Sequence, residues 1–332
     1  MYDIERYIEA VSVEDAIQHL KADPDASVIS GGTDVLVRLR SGKGVGGTLV
    51  SIHEIPELHG VDRLLDGTLV IGPATCFSDL AKDPLIRSCV PYLGEAVETV
   101  GGPQIRNMGT IGGNLCNGAT SADSAAVMQT LNARLVLQGP DGSREVPVTE
   151  FYLGPGKTVR RRDEILTAIL IEAKDYLGFT GCYIKYGKRK AMEIATLGCC
   201  VRVKLGPAPE DSGEGPGTEN GGGQDPAALQ TQNAAGPKSR IIRDIRIGYG
   251  VAAPTPIRCY KTENLLRGRS ASDPSIYELI GEHVLEEVQP RSSWRASKEF
   301  RLQLIAELAR RALREAMLSS LGNSLLDQTS AG

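Results

Sequence analysis

Apolar and polar positions divide this chain into many short predicted elements. Near the N-terminus, Ala16, Ile17 and Leu20 share one face of a short predicted helix. This helix is expected to end at Asp23-Pro24, because proline disfavours helical backbone in the residue before it. Further along, the pattern predicts helices at 35–39, 78–82 and 125–131, and strands at 26–30, 48–52, 68–72, 134–137 and 144–148.

The C-terminal part carries longer and more regular patterns. Every second residue from Ile245 to Val251 is apolar, which predicts a strand over 241–251 with one buried face. Strands are also predicted at 181–186 and 199–204, and helices at 275–287 and 297–318. On the last helix, apolar residues repeat at Phe300, Leu304, Leu308, Ala312 and Ala316, and the expected solvated face carries Arg301, Arg310, Arg311 and Arg314.

Residues 206–238, between two of these strands, differ sharply in composition. The stretch reads GPAPEDSGEGPGTENGGGQDPAALQTQNAAGPK and contains almost no large apolar side chain. Such a segment buries too little apolar surface to offset the entropy that it would lose on ordering. We predict a disordered or mobile loop inserted into a hairpin, rather than a boundary between domains.

Two glycine-rich stretches interrupt the regular elements. The longer one runs from Val100 to Asp123, reads VGGPQIRNMGTIGGNLCNGATSAD, and matches neither helical nor strand spacing. The shorter one, SGGTD at 30–34, follows a predicted strand. Glycine serves where a turn needs positive φ or where backbone closely approaches a ligand, and the N–H groups of such turns bind phosphate groups. A plain surface loop remains the alternative interpretation.

Length and charge narrow the range of functions. With 332 residues, the chain is long enough for two domains and a sizeable core. The formal net charge of −4 and the aromatic content of 5% argue against binding to nucleic acid. No apolar run reaches the roughly 18–20 residues of a membrane span, and the N-terminal MYDIERYIEA lacks the apolar core of a signal peptide. We expect a soluble, cytoplasmic protein without a membrane or nucleic-acid partner.

The cysteines indicate a reducing compartment. The seven are Cys76, Cys89, Cys116, Cys182, Cys199, Cys200 and Cys259. An odd, scattered set without any C-x-x-C is not typical of a disulfide framework. An iron–sulfur cluster needs closely spaced thiolates, so we predict that the chain carries neither a cluster nor another metal site.

Three segments imitate known motifs without meeting their requirements. Residues 42–47 satisfy G-x-G-x-x-G, but a dinucleotide fingerprint follows a strand and opens a helix, whereas this segment follows a predicted helix. Residues 154–158 (GPGKT) look like the end of a phosphate-binding P-loop, but Phe151 stands where its first glycine is required. His53 and His59 flank a turn at Pro56 and are interpreted as surface histidines rather than metal ligands.

Together, the two glycine-rich stretches resemble those of a known family, the flavin-binding subunits and domains of molybdenum hydroxylases. There, the first loop reads A-G-G-T-D-L/V and the second R-N-x-x-T/S-x-G-G-N; here they stand as SGGTDV at 30–35 and RNMGTIGGN at 106–114. The runs GGPQIRN, NLCNGATSAD and PRSSWRAS, at 101–107, 114–123 and 290–297, extend the likeness. It is strongest to the separate flavin subunits of bacterial xanthine dehydrogenases and covers nearly the whole chain outside the polar insert.

The resemblance implies FAD as cofactor and a set of binding residues. The first turn would hold the FAD pyrophosphate through backbone N–H groups of the segment Val28, Ile29, Ser30, Gly31, Gly32, Thr33, Asp34 and Val35. The second turn would hold the other side of the dinucleotide with Thr110, Ile111, Gly112, Gly113 and Asn114. Asp123 is expected to accept a hydrogen bond from a cofactor hydroxyl and Leu166 to pack against a ring. Lys185, on the same strand face as Tyr183, would tune the flavin redox potential.

Structural alternatives stay open for some of these residues. Asp123 would serve equally well as the N-cap of the helix that follows it. An ordinary solvated lysine is the alternative for Lys185. Thr75 is a weaker site candidate, because in the family the corresponding turn lies close to the flavin.

The resemblance also implies an α+β fold. A PCMH-type FAD-binding domain of two small mixed subdomains is expected over residues 1–176. A C-terminal domain is expected over 177–322, with a three-stranded antiparallel sheet and helices, interrupted by the insert at 206–238.

An electron-transfer role follows from the resemblance. Electrons would arrive from an iron–sulfur subunit, originally from a molybdenum-cofactor subunit that hydroxylates a purine, and would leave through FAD to NAD. Because the flavin supplies the hydride chemistry, we predict no catalytic acid or base in this chain. Mammalian relatives carry an aromatic residue where Val100 stands, which leaves the preferred acceptor open. Two alternatives remain: a flavin subunit acting with carbon monoxide, nicotinate or another aromatic substrate, and an assembly module that has lost its cofactor.

Overall fold

The computed structural model describes residues 4–42, 47–208 and 240–329. Within these residues, the strands form two mainly antiparallel sheets of five and four strands, a three-stranded parallel sheet, and a two-stranded ribbon. The predicted mobile insert lies outside the described residues from 209 to 239, as do residues 43–46 of the glycine-rich turn. In the described part of the chain, no helix combines the length and apolarity needed to cross a bilayer.

The N-terminal unit is a parallel sheet in the order β1-β3-β2, covered by a helix. Its elements are β1 Arg6–Glu9, α1 Val13–Ala22, β2 Ser27–Ile29, α2 Val35–Arg40 and β3 Thr48–Ser51. Helix α1 begins where Ser12 accepts a hydrogen bond from the N–H of Asp15 at 3.1 Å. Its apolar face packs against Val50 and Leu58, as the spacing of Ala16, Ile17 and Leu20 predicts.

A five-stranded antiparallel sheet in the order β4-β5-β10-β6-β7 forms the second unit. Its strands are β4 Val61–Arg63, β5 Leu69–Ile71, β6 Arg134–Gly139, β7 Gly142–Pro147 and β10 Ile165–Ile171, and the ribbon is β8 Tyr152–Gly154 with β9 Lys157–Thr158. Its helices are α3 Phe77–Lys82, α4 Pro84–Cys89, α5 Pro91–Glu98, α6 Pro103–Arg106, α7 Ile111–Cys116, α8 Asp123–Thr130 and α9 Val148–Phe151. Together they enclose a core that includes Leu93, Met128 and Ile169.

The C-terminal unit differs from the prediction by one strand, because its antiparallel sheet has four strands, in the order β11-β12-β13-β14. Its elements are β11 Thr180–Tyr186, β12 Leu197–Pro207, β13 Arg240–Gly250, β14 Ile257–Arg258, α10 Tyr260–Leu266, α11 Ser275–His283 and α12 Lys298–Thr329. Strand β14 pairs with Gly248 and Tyr249. With two residues it is too short to produce a periodic pattern.

The ends of several elements also differ from the predicted bounds. Gly206 and Pro207, placed by composition in the insert, still pair with Ile241 and Arg240 in the sheet. Helix α11 ends at His283 and continues only as a 3₁₀ turn over Val284–Glu286. The last helix runs on to Thr329, beyond the apolar repeat on which its prediction rested.

The glycine-rich stretch at 100–123 is not a continuous loop, contrary to its lack of periodicity. Pro103 starts α6, and the fixed φ of proline suits a first helical position. Thr110 caps α7, which buries Ile111 and Leu115. These helices have four and six residues, so their start signals outweigh any repeat.

Arginines link the C-terminal sheet to helix α8. Arg202 and Arg246 are 0% and 7% exposed, and both donate to the carbonyl of Thr130 at the end of α8. Arg246 also pairs with Asp175 at 2.7 Å, and both guanidinium groups contact the Phe179 ring, at 4.4 and 4.9 Å from its centre. Cations at a helix C-terminus interact favourably with the helix dipole and stabilise the helix. These contacts fix α8 against β12 and β13.

Arg301 is the exception among the arginines expected on the solvated face of α12, because it is 2% exposed. Its guanidinium donates to the carbonyl groups of Thr196 and Arg291 and to the Ser293 hydroxyl. These three acceptors, two of them in the loop before the helix, replace the water that a surface arginine would bind.

Candidate functional site

A cleft of about 590 Å³ opens between the β2–α2 turn, helix α7, strand β10 and the loop that joins β11 to β12. All predicted cofactor-binding residues except Ile29 and Ile111 line it: Val28, Ser30, Gly31, Gly32, Thr33, Asp34, Val35, Thr110, Gly112, Gly113, Asn114, Asp123, Leu166 and Lys185. Residues far apart in the sequence therefore meet at one cavity. Its volume lies within the range typical of small-molecule and cofactor sites.

The first glycine turn approaches the second stretch through its backbone. A Cβ atom added to Gly31 would lie 1.6 Å from the carbonyl oxygen of Met108. Gly32 has φ of 71°, a conformation that favours glycine. Both glycines are therefore required by the fold of this turn, as well as by any ligand beside it.

Polar groups of the first turn are left without partners inside the protein. In the described part of the chain, the backbone N–H groups of Gly31, Gly32 and Thr33 donate to no other residue. The hydroxyl of Ser30 is buried, and it too has no hydrogen-bond partner. A buried hydroxyl is normally paired, so Ser30 indicates a polar ligand in the cleft. The N–H groups of Gly31, Gly32 and Thr33 belong to half-buried residues that line the same cleft and are available to that ligand.

The second turn differs from the first, because its N–H groups are already used. Ile111 donates to the carbonyl of Thr75, Gly112 to that of Pro73, Gly113 to the Thr110 hydroxyl and Asn114 to the Thr110 carbonyl. Added Cβ atoms on Gly112 and Gly113 would lie 2.4 Å from Pro73 Cβ and 2.9 Å from Thr110 Oγ1. This turn presents a tightly packed wall to the cleft, rather than a set of free N–H donors.

Asp123, Lys185 and Tyr183 form a buried polar cluster at one side of the cleft. Asp123 accepts hydrogen bonds from Tyr183 Oη at 2.6 Å and from Lys185 Nζ at 2.8 Å. Lys185 Nζ also donates to the carbonyl of Thr99 at 2.9 Å. Burial raises the pKa of the Asp123 carboxyl, and the Lys185 ammonium opposes this rise.

This cluster corrects two of the alternatives left open by the sequence. The N-cap of α8 is Ala122, and Asp123 caps no helical N–H group with its side chain. The side chain of Lys185 is 10% exposed, so Lys185 is not an ordinary solvated lysine. Lys185 and Tyr183 lie on the same strand face, as the alternation of β11 predicts.

Glu164 and Leu166, at the start of strand β10, line the cleft. Leu166 is 4% exposed. The carboxylate of Glu164 accepts two hydrogen bonds from Arg144, at 2.7 and 2.9 Å, and one from the N–H of Arg161. Burial alone would raise the pKa of the Glu164 carboxyl, but the hydrogen bonds from Arg144 and Arg161 outweigh it, so the pKa lies below its usual value.

Sequence reasoning missed several lining residues. They are Phe77, Arg160, Glu164, Met192, Glu193 and Ile194. The last three lie in the connection after β11, and their only signal was that they follow a strand already assigned to the site. Thr75 does not line the cleft, since its hydroxyl bonds to the backbone of Gly60 at 2.8 and 3.2 Å.

Metal-ligand geometry is not found in the residues that the structure describes, because no three His, Cys, Asp or Glu side chains group around a common point. The ring nitrogen Nε2 of His59 instead lies 2.6 Å from the carbonyl oxygen of His53.

Comparison with known proteins identifies the kind of protein that carries this cleft. Residues 2–172 match the family model of the FAD-binding domain in molybdopterin dehydrogenase, and residues 226–316 match that of the CO dehydrogenase flavoprotein C-terminal domain. The chain is 38% identical to the xanthine dehydrogenase FAD-binding subunit of Escherichia coli, over 97% of this chain and 99% of that protein. It belongs to this FAD-binding family.

Other relatives support the fold, and the family model and the xanthine dehydrogenase subunit support FAD as the cofactor. The glyceraldehyde dehydrogenase medium chain of Sulfolobus acidocaldarius is 26% identical over 93% of this chain and 97% of its own length. A solved chain of the carbon monoxide dehydrogenase from Hydrogenophaga pseudoflava superposes with a TM-score of 0.79 at 27% identity, covering 96% of this chain and 99% of that one. The expected α+β fold and the assignment of FAD are confirmed, and the chain is an FAD-binding oxidoreductase subunit.

The geometry of the cleft fits FAD. A dinucleotide needs hydrogen-bond donors for its phosphates, and Ser30 and Gly31–Thr33 offer donors without partners among the described residues. Leu166 on strand β10 and Lys185 on strand β11 add an apolar side chain and a cation to the lining of the same cleft. The boundaries of the two domains, at 176 and 177, remain predictions.

Proposed function

We propose that this chain is the FAD-binding electron-transfer subunit of a xanthine dehydrogenase-type molybdenum hydroxylase. The observation that carries the proposal is the 38% identity to the Escherichia coli xanthine dehydrogenase FAD-binding subunit, which extends over nearly the full length of both proteins. The relative named for glyceraldehyde dehydrogenase is 26% identical and the structure named for carbon monoxide dehydrogenase 27% identical. This difference in identity favours the purine-type complex, although the substrate itself is bound by a different subunit.

The proposed complex has three kinds of subunit. A molybdenum-cofactor subunit oxidises the purine, an iron–sulfur subunit passes the electrons on, and this chain carries them through FAD to NAD. We place the complex in the cytoplasm. FAD, when bound, supplies the conversion between the one-electron steps of iron–sulfur clusters and the two-electron reduction of NAD.

Within the cleft, we assign the FAD pyrophosphate to the first turn. The N–H groups of Gly31, Gly32 and Thr33 and the hydroxyl of Ser30 supply the hydrogen bonds that the protein leaves unmade. Thr110 and Gly112–Asn114 line the other side and orient the dinucleotide by shape, because their N–H groups are already engaged.

Lys185 is the residue that we assign to the flavin ring. An ammonium group has three N–H donors, and two of them are used by Asp123 and Thr99. The third is free to donate to a flavin oxygen, and the positive charge stabilises the anionic reduced form. Leu166 packs against a ring from strand β10. Asp123 then has a positioning role, because its carboxylate holds both Lys185 and Tyr183.

Substituting one glycine in each of the two turns tests the assignment of the cofactor site. Gly32→Val and Gly113→Val are expected to abolish flavin retention, the first because of its positive φ and the second through its contact with Thr110. Full loading of both purified variants with FAD would contradict the assignment of the turns.

The substrate class is tested on the assembled complex. Xanthine, carbon monoxide and nicotinate are each added anaerobically, and reduction of the flavin is followed by its visible absorption. We expect xanthine alone to bleach the flavin. Reduction by carbon monoxide or nicotinate instead would assign the chain to another hydroxylase of the same family.

A further inference from the structure

Trp294 stands out on the surface because it is 76% exposed and flanked by two cations. The Lys188 ammonium lies 5.8 Å from the centre of its ring and the Arg295 guanidinium 4.2 Å from it. It is the chain's single tryptophan. An indole with adjacent cations and much open area is a common platform for the base and phosphates of a nucleotide.

The loop that carries Trp294 is held by the buried side chain of Arg301. Its guanidinium donates to the Arg291 carbonyl, to Ser293 Oγ at 2.8 Å and to the Thr196 carbonyl at 3.2 Å. The loop also closes on itself, since Ser293 and Ala296 form an isolated β-bridge. Trp294 is therefore displayed on an ordered segment, which lowers the entropy lost when a ligand stacks on it.

Thr196 connects this loop with the cleft. The connection 187–196 carries Met192, Glu193 and Ile194, which line the cleft, and near its start Lys188, which contacts Trp294. The exposed indole and the flavin cleft are thus joined by one short segment and one buried arginine.

Basic residues cluster in the two sequence segments that meet at Trp294, although the chain as a whole has a formal net charge of −4. Lys188 and Arg295 contact the indole, and Arg189, Lys190 and Arg291 lie within three residues of Lys188 or Trp294 in the sequence. Glu193 is the acidic residue in the same connection, and its carboxylate already accepts a hydrogen bond from the N–H of Arg189. This balance favours a ligand with more than one negative charge.

We propose that Lys188, Arg291, Trp294 and Arg295, here called the basic platform, bind the adenosine diphosphate half of a dinucleotide electron acceptor. The base stacks on the open part of the indole and the diphosphate pairs with the cations. The platform holds the acceptor beside the connection whose Met192, Glu193 and Ile194 line the cleft. The inference rests on the proposed transfer of electrons to NAD.

Fluorescence of the single tryptophan tests the platform directly. The FAD-loaded protein is titrated with ADP-ribose, which has the adenosine diphosphate group but no nicotinamide. We expect saturable quenching of the Trp294 emission that weakens as salt is raised. Arg295→Gln should weaken the binding of ADP-ribose by about tenfold, the effect of losing one charge-assisted contact.

Arg311→Gln is the matched control, because Arg311 is an exposed arginine that pairs with Glu307 on helix α12. Its titration curve should coincide with that of the parent protein. Trp294→Ala cannot be titrated by fluorescence, and for this variant we expect the KM for NADH to rise about tenfold through loss of base stacking.

An absence of saturable quenching by ADP-ribose would overturn the proposal, as would equal binding by Arg295→Gln and the parent protein. An unchanged KM of Trp294→Ala would do the same. These results are separable from a failure of the proposed function. If the proposed electron transfer to NAD were wrong, NADH would leave the flavin oxidised, whether or not ADP-ribose quenches Trp294.

Discussion

Lys185 and Asp123 form a buried ion pair between strand β11 and helix α8. Nζ lies 2.8 Å from Oδ2, and the two side chains are 10% and 6% exposed. The same carboxylate accepts the hydroxyl of Tyr183 at 2.6 Å. Because both charged groups are removed from water, each depends on the other, and the pair ties the flavin cleft to the C-terminal sheet.

Asp123→Asn is expected to destabilise the protein by about 3–5 kcal/mol, because it leaves the buried Lys185 cation without its counter-charge. It should also lower the amount of FAD that purifies with the chain, since Lys185 is then free to move from the cleft. Denaturant unfolding and the ratio of flavin to protein measure the two effects.

The double variant Asp123→Asn/Lys185→Met separates charge from packing. If the ion pair is the cause, the double variant should lose much less stability than the sum of the two single variants. Additive losses would mean that the two residues act independently.

Gly31→Ala should destabilise the protein by about 1–3 kcal/mol and release FAD, because the new methyl group meets the Met108 carbonyl. Gly154→Ala is the control, since a Cβ there meets no atom within 4 Å and its effect should stay within about 0.5 kcal/mol. Thermal unfolding and bound FAD are measured for both. Equal retention of FAD by the two variants would show that the close approach at Gly31 does not matter.

Strong periodicity made much of the fold predictable from the sequence. The alternation in 241–251 and the apolar repeat of the last helix correspond to β13 and α12. Elements without a period were missed: β14 has two residues, and α6 has four. Their existence depends on pairing with Gly248 and Tyr249 or on a proline start, and hydrophobic spacing records neither.

The site was predictable where local chemistry decides it. The first glycine turn, with its free N–H groups, carries its signal in six consecutive residues. The role of Asp123 was not predictable, because its partners Tyr183 and Lys185 lie 60 and 62 residues away. An aspartate that caps the following helix and an aspartate that pairs with a distant lysine give the same local sequence pattern. Similarly, nothing in the spacing of α12 distinguishes the buried Arg301 from its exposed neighbours.

Asp175→Asn is predicted to destabilise the contact between α8 and the C-terminal sheet by about 3–5 kcal/mol, because Arg246 then loses its buried counter-charge. Asp244→Asn removes a second carboxylate from the same arginine, at 3.3 Å, and also breaks the pair with Arg267 at 2.9 Å, but the Asp244 side chain is 25% exposed. Its effect should be about 1 kcal/mol or less, because water screens both pairs. Chemical denaturation compares the two, and a reversed order would contradict the importance of burial.

Acid is expected to lower the free energy of unfolding, partly through protonation of the Glu164 carboxylate. Its pKa is lower in the folded chain than its ordinary value of 4.5, so its contribution to stability is complete above pH 4.5 and is lost as pH falls through the folded pKa. Glu164→Gln removes this contribution. The free energy of unfolding, measured between neutral pH and about pH 3, should fall more steeply for the parent protein than for the variant. Parallel curves would show that Glu164 does not titrate differently in the folded state.

The central claim is that this chain holds FAD in the cleft and exchanges electrons with NAD. The most direct measurement is the visible spectrum of the purified protein before and after anaerobic addition of NADH. We predict an oxidised flavin spectrum that bleaches on addition of NADH. A flavin that stays oxidised would contradict the transfer of electrons to NAD, and a colourless protein that also fails to bind added FAD would contradict the cofactor site itself.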